Sequence, residues 1–147
     1  MQTRLPHLPD AWRESFEAAV RARERAHAPY SRFRVGAALK LDGENAPVAG
    51  CNVENASYGA TVCAERVAIW SAVSRFDLRA TPPRFLALVT DTPEPTPPCA
   101  QCLQVMAEFC PDSFPVLLCN PDGPLEVLAL NRLLPRPFRV FQAEPEA

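Results

Sequence analysis

The sequence predicts an α/β protein, a three-layer α/β/α sandwich around a mixed five-stranded sheet, and three observations lead there. Segments of helical and strand periodicity follow one another in the order α-β-β-α-β-α-β-β. The run Phe85-Leu86-Ala87-Leu88-Val89 is apolar without alternation, as in a strand covered on both faces. The last two apolar runs are joined only by Asn120-Pro121-Asp122-Gly123-Pro124. Parallel neighbours need a crossover of roughly a dozen residues or more, so these two strands are expected to be antiparallel and the sheet mixed.

From Pro9-Asp10 to about Ala26, Trp12, Phe16, Ala19 and Val20 recur at helical spacing against Arg13, Glu17, Arg21 and Glu24, with Asp10 placed to cap the start. Pro29 ends that helix. Phe33 to Leu41 reads as a strand, Asp42-Gly43 as a tight turn and Pro47 to Val53 as the partner strand of a hairpin. Asn52 to Gly59 is too polar for a strand interior. A second helix is expected from Cys63 to about Phe76, where Ala64, Ala68 and Ala72 form a row that lets its backbone approach a sheet, with Val67, Trp70 and Val73 beside it. Arg84 to Thr90 is the candidate central strand. Thr92 to Pro98 is a Pro-rich loop that delivers Cys99. A third helix, Cys99 to about Cys110, carries Cys102, Leu103, Met106 and Phe109 on one side. Phe114 to Cys119 and Leu125 to Leu130 are the last strands, and Leu130 to Pro135 makes a final helical turn. The whole chain, 1–147, is expected to be one domain with its core at about 9–138 and a frayed tail at 139–147.

Composition narrows the function. The formal net charge is −2 with both signs interspersed, which leaves no basic stripe for nucleic acid and favours a small, weakly charged ligand. No apolar run approaches the roughly 18 residues of a membrane span, and no apolar stretch follows Met1 to His7, so a cytoplasmic chain is expected. Six cysteines in such a chain are metal ligands or packed thiols before they are disulfides.

Cys63, Cys99 and Cys102 have ligand spacing, whereas Cys51, Cys110 and Cys119 sit in apolar or strand-like runs. A single Cys two residues before a Glu, followed by Pro-Cys-x-x-Cys, is the three-thiolate form of the zinc deaminase signature, in which the Glu moves protons and does not ligate. Three protein ligands leave a fourth position for water, so the zinc is expected to be catalytic. Bound zinc lowers the pKa of water from about 15.7 towards 7. Both cysteine elements open helices, where free N–H groups and the helix dipole favour thiolates. Three thiolates on Zn²⁺ leave a net −1, and Arg66 is the cation that the motif itself places to offset it. Glu65 is the expected proton carrier. A four-thiolate structural site completed by Cys51, or a redox pair, is the non-catalytic alternative, argued against by Glu65 and by the Pro before Cys99. His7 and His27 lie outside the motifs.

At this point the chain resembles cytidine deaminase, the small homotetrameric kind that acts on free nucleosides. The resemblance spans about residues 12–138. It rests on Ala28-Pro29-Tyr30-Ser31-x-Phe33-x-Val35-Gly36-Ala37-Ala38-Leu39, Gly50-Cys51-Asn52-Val53-Glu54-Asn55-Ala56-Ser57-Tyr58, Cys63-Ala64-Glu65-Arg66, Pro98-Cys99-x-x-Cys102-x-Gln104-Val105 and Leu133-Leu134-Pro135-x-x-Phe138. It implies hydrolysis of cytidine and deoxycytidine to uridine and deoxyuridine with release of ammonia, and one zinc per chain. Asn52 and Glu54 then correspond to the pair that binds the ribose 3′-hydroxyl, Phe33 to the aromatic against the base, and Ala64 to a further substrate contact. Glu65 would also hold ring N3 and the exocyclic amine. Tyr58 and Phe138 would close a neighbouring subunit's pocket. An Asn and a Glu at alternate positions of an extended segment also point the same way on residue chemistry alone.

The sequence departs from the family pattern at Ala100-Gln101 and Leu103, where Gly-Ala and Arg are frequent. Its tail Arg139-Val140-Phe141-Gln142 bears some similarity to blasticidin deaminase, a relative acting on a nucleoside antibiotic, which lacks the full Asn-x-Glu-Asn-Ala-x-Tyr run. A tRNA-editing deaminase would have His-x-Glu and parallel last strands joined through a helix.

Overall fold

The computed structural model describes residues 10–139. Expectations for Pro9, His7 and the tail after Arg139 fall outside them. Ten elements follow in order: α1 (Asp10–Glu24), β1 (Gly36–Leu41), β2 (Val48–Cys51), a 3-10 turn (Tyr58–Ala60), α2 (Ala64–Arg75), β3 (Pro83–Val89), α3 (Ala100–Phe109), β4 (Pro115–Asn120), β5 (Gly123–Ala129) and α4 (Leu130–Leu133). The strands form one sheet in the order β2-β1-β3-β4-β5. Only β3 and β4 are parallel, with α3 between them as the crossover; the other three pairings are antiparallel. The fold is the mixed five-stranded α/β architecture that the alternation of elements implies.

Alternate residues of the strands explain the layers. Ala37, Leu39, Leu41, Leu86, Leu88, Val116 and Leu118 face α2 and α3 in one core, with Ala64, Ala68, Ile69, Ala72 and Met106. Ala38, Ala87, Val89, Leu117 and Cys119 face Ala18 and Ala19 of α1 on the other side, with Trp12, Phe16 and Val20 at the margin. Trp12 stacks on Phe85 with ring centroids 4.3 Å apart.

Two glycines set how closely the helices approach. At Gly36 an added Cβ would lie 1.9 Å from the Ala19 carbonyl oxygen and 2.6 Å from the Arg23 nitrogen; at Gly50 it would lie 2.6 Å from the Ala68 nitrogen and 2.7 Å from the Ala64 oxygen. These are backbone atoms, so a methyl must push a whole helix off the sheet. Gly36→Ala is therefore expected to destabilise the fold by about 1–3 kcal/mol, whereas Gly59→Ala, with nothing within 4 Å, should be nearly neutral. Thermal unfolding of the two variants checks this, and an unshifted melt for Gly36→Ala would refute the close approach.

Several boundaries differ from expectation for local reasons. β1 starts at Gly36, not Phe33, because the Asn52 side chain takes the backbone groups of Phe33 and Val35 that a strand partner would otherwise take. The link after β1 is a longer loop, not a two-residue turn: Lys40 Nζ donates to the Glu44 and Asn45 carbonyls and Gly43 sits at φ +73°. β2 ends at Cys51, with Val53 caught in isolated bridges to His27 and Val62. β5 begins at Gly123, so the turn from β4 is tighter than its prolines imply. Trp70 and Val73 do not pack on the sheet; they are exposed.

Candidate active site

Cys63 and Cys99 are the residues immediately before the first turns of α2 and α3, both extended and neither engaged in a side-chain cap bond. Their thiols are therefore free to point at a shared ligand, not back at their own helices. Cys102 joins them from the first turn of α3, fully buried. The three sulfurs lie within 4.8 Å of one another, with Cys63 to Cys99 at 3.9 Å and Cys99 to Cys102 at 3.5 Å. A tetrahedral ion with Zn–S bonds of about 2.3 Å holds its sulfurs about 3.8 Å apart, so the spacing and the donor set both fit zinc. Among the described residues these three form the group able to hold a metal, and Cys51 is not part of it. Burial pushes the Cys110 and Cys119 thiols up to about 12, and that of Cys51 also upward, which keeps them protonated.

Electrostatics favour a thiolate at Cys63. The neighbouring Cys102 thiol above all, with Arg66 and Cys99 helping, holds its pKa below the usual thiol range against burial. The Cys63 charge, together with burial, pushes Cys102 up. Arg66 Nη2 lies 3.4 Å from Cys63 Sγ, and its guanidinium also sits 5.7 Å over the Trp70 ring. The arginine is anchored between the thiol cluster and an exposed aromatic.

Glu65 follows Ala64 into the first turn of α2 and is 4% exposed. Burial, above all, raises its carboxyl to about 7; the Cys63 charge adds to the rise, while its own backbone N–H, Cys102 and Arg66 work against it. A carboxyl poised there can hold or release a proton at neutral pH. Ala64 is completely buried beside it.

The second half of the site is the segment after β2. Asn52 and Glu54 both reach towards the loop that follows α1, which their alternate positions explain. Asn52 Oδ1 accepts from the Val35 N–H at 2.8 Å and its Nδ2 donates to the Phe33 carbonyl at 2.8 Å. Glu54 accepts from the Tyr30 and Ser31 N–H groups at 2.9 and 3.2 Å and from the Ser31 hydroxyl. The Ser31 bond, first among several, holds the Glu54 carboxyl below the usual range, so it remains an anionic acceptor. Each side chain keeps some unused capacity: an amide hydrogen and a lone pair on Asn52, and a lone pair on Glu54. Phe33, carried between the two clasps, is 38% exposed. Tyr58 and Phe138 are exposed at 76% and 63%; Tyr58 meets Tyr30 edge-on. Ser31 and Gln104 lie within the family motifs, where residue type and spacing assign neither a role; a hydroxyl two residues before an aromatic is the signal that the sequence offers for Ser31.

The loop that delivers Cys99 is braced by hydroxyls. The Thr92 hydroxyl lies 2.8 Å from that of Thr90 and 2.5 Å from that of Thr96, and it donates to the Glu94 carbonyl at 2.8 Å.

Comparison with known proteins bears on this geometry. Residues 11–118 match the family model of the cytidine and deoxycytidylate deaminase zinc-binding region. A cytidine deaminase of Halalkalibacterium halodurans is 48% identical over 122 residues, 82% of this chain and 88% of that protein. One from Sporosarcina psychrophila is 48% identical over 118 residues, 80% and 84% of the two chains. The crystal structure of cytidine deaminase from Burkholderia pseudomallei superposes with a TM-score of 0.77 at 43% identity, covering 90% of this chain and 100% of that one. That from Mycobacterium tuberculosis gives 0.73 at 35% identity, covering 88% and 98%.

Proposed function

The chain belongs to the cytidine and deoxycytidylate deaminase family, and on that premise we propose that it hydrolyses cytidine and deoxycytidine, replacing the 4-amino group by oxygen and releasing ammonia. The observation that carries this is the convergence of three thiol sulfurs at two helix starts beside a buried, proton-ready Glu65. Cys63, Cys99 and Cys102 are the residues to hold zinc, which when bound supplies a Lewis acid and an activated water. Glu65 takes one proton from the attacking water and delivers it to ring N3, then takes the second from the oxygen now bonded to C4 and passes it to the departing amine. Arg66 offsets the negative charge of three thiolates through its bond to Cys63. Incubating zinc-loaded protein with cytidine should yield uridine and ammonia in equal amounts. Adenosine or blasticidin S consumed in preference to cytidine would reject the assignment.

Asn52 and Glu54 are proposed to read the ribose, Phe33 to pack on the base and Ala64 to contact it from the helix start. Glu54 is the more informative to change, because its anionic oxygens both set the Tyr30–Ser31 loop and retain acceptor capacity. A hydrogen bond to a charged group contributes about 1.5–3 kcal/mol, roughly 10–150-fold in binding. Glu54→Ala is thus expected to raise KM for cytidine by at least about 10-fold, and free cytosine should be a poor substrate. Equal kcat/KM for cytosine and cytidine would show that the sugar is not read.

We propose further that the chain works as a homotetramer, one domain per subunit, with Tyr58 and Phe138 completing a neighbour's pocket. The support is exposed apolar surface: Trp70 and Val73 on α2 are 48% and 42% exposed, and Tyr58 and Phe138 are exposed as well. Dilution to monomers is expected to abolish turnover, as followed by light scattering and activity on the same samples; a fully active monomer would refute composite sites. No helix among the described residues is long and apolar enough to cross a membrane, and a cytoplasmic setting is proposed.

A further inference from the structure

We infer that Gln104 is a positioning residue that presents Phe138 for substrate binding by clasping its peptide. The inference rests on the proposal that Phe138 walls a pocket. Gln104 stands two residues after Cys102 on α3, with its side chain half-buried. Its Nε2 donates to the Phe138 carbonyl at 2.6 Å and its Oε1 accepts from the Phe138 N–H at 3.1 Å. Paired strands exchange the same two bonds with a single residue, whose N–H and C=O point to one side. The carboxamide is the side chain that offers a matching acceptor and donor together. Gln104 therefore stands in for a strand partner, at a segment that follows α4 without regular secondary structure.

What the clasp controls is the ring. Phe138 is 63% exposed, and the clasp sets where the residue that carries the ring stands relative to α3. The backbone leading to it is stiffened by Pro135 and Pro137, and Arg139 Nη2 reaches Asp112 Oδ1 at 2.6 Å just beyond. Gln104 adds the register. It ties the residue carrying the ring to the helix whose first turn holds Cys102 and whose cap is Cys99. The aromatic that walls the neighbour's pocket is thus anchored to the helix that carries its own subunit's Cys99 and Cys102.

The test uses the zinc-loaded enzyme and the substitution Gln104→Met, which keeps length and removes both hydrogen-bonding atoms. Expected are wild-type zinc content and kcat within about twofold, with KM for cytidine raised about 10-fold, the size that two ordinary hydrogen bonds give. The Phe138 amide should exchange with deuterium faster than in wild type. Gln104→Glu keeps the acceptor but sets a carboxylate oxygen against the Phe138 carbonyl, so it should do no better than Gln104→Met. The double variant Gln104→Met/Phe138→Ala should bind cytidine no worse than Phe138→Ala alone. Wild-type KM and amide exchange in Gln104→Met, or additive defects in the double variant, would overturn the clasp. A Phe138→Ala variant with unaltered KM would instead overturn the underlying reading of Phe138, and the inference with it.

Discussion

Glu65→Ala is expected to remain folded and to bind one zinc per chain, yet to lose turnover by roughly 10²–10⁴-fold, the usual contribution of a positioned acid–base group. The reason is local. Glu65 touches the site from inside the first turn of α2, where burial has raised its carboxyl to about 7, so it can both accept and return a proton near neutrality. The residues proposed to hold the metal are the three cysteines, which is why metal content should not follow activity. The same burial gives a second readout. A carboxyl with a raised folded pKa carries no stability penalty below its ordinary 4.5, and the penalty grows as the pH rises through about 7. In the metal-free protein, Glu65→Gln should therefore melt above wild type at pH 8, with the gap closing towards pH 4.5. A gap independent of pH would mean that the carboxylate is stabilised by something other than the site described.

Cys102→Ala is expected to abolish zinc retention and turnover together, while Cys51→Ala matches wild type in both. Cys102 is fully buried and shares the cluster with Cys63 and Cys99, so its loss removes a ligand and leaves a void in the larger core at once. Metal binding is coupled to folding at such sites, so the melting temperature should fall with the zinc. Cys51 lies outside the cluster and its thiol is raised by burial, which makes it the control. Zinc lost from a folded Cys51→Ala variant would mean four protein ligands and a structural metal. Zinc analysis and thermal unfolding of the two variants separate these cases.

Much of this arrangement is legible in the residues. The antiparallel β4–β5 pair follows from the shortness of the link at 120–124, and the three-cysteine cluster from cysteine spacing plus helix starts. The small-residue row of α2 is visible as Ala64, Ala68 and Ala72, all completely buried. What the residues hide is where side chains replace backbone partners. Asn52 ends β1 early by bonding Phe33 and Val35, Glu54 shapes the loop at Tyr30 and Ser31, and Gln104 holds Phe138. Each depends on contacts 17 to 34 residues apart in sequence, which periodicity and propensity cannot register. Ser15, on the sheet-facing side of α1, escaped the helical pattern because a buried serine carries no apolar signal.

The most direct test of the account is the ultraviolet absorbance of cytidine mixed with zinc-loaded wild-type protein and with zinc-loaded Glu65→Ala. A steady fall with the wild type, and a fall slower by at least about 100-fold with the variant at equal zinc content, is the predicted result. Unchanged absorbance of both cytidine and deoxycytidine with the zinc-loaded wild type, or near-wild-type turnover by Glu65→Ala, would contradict it.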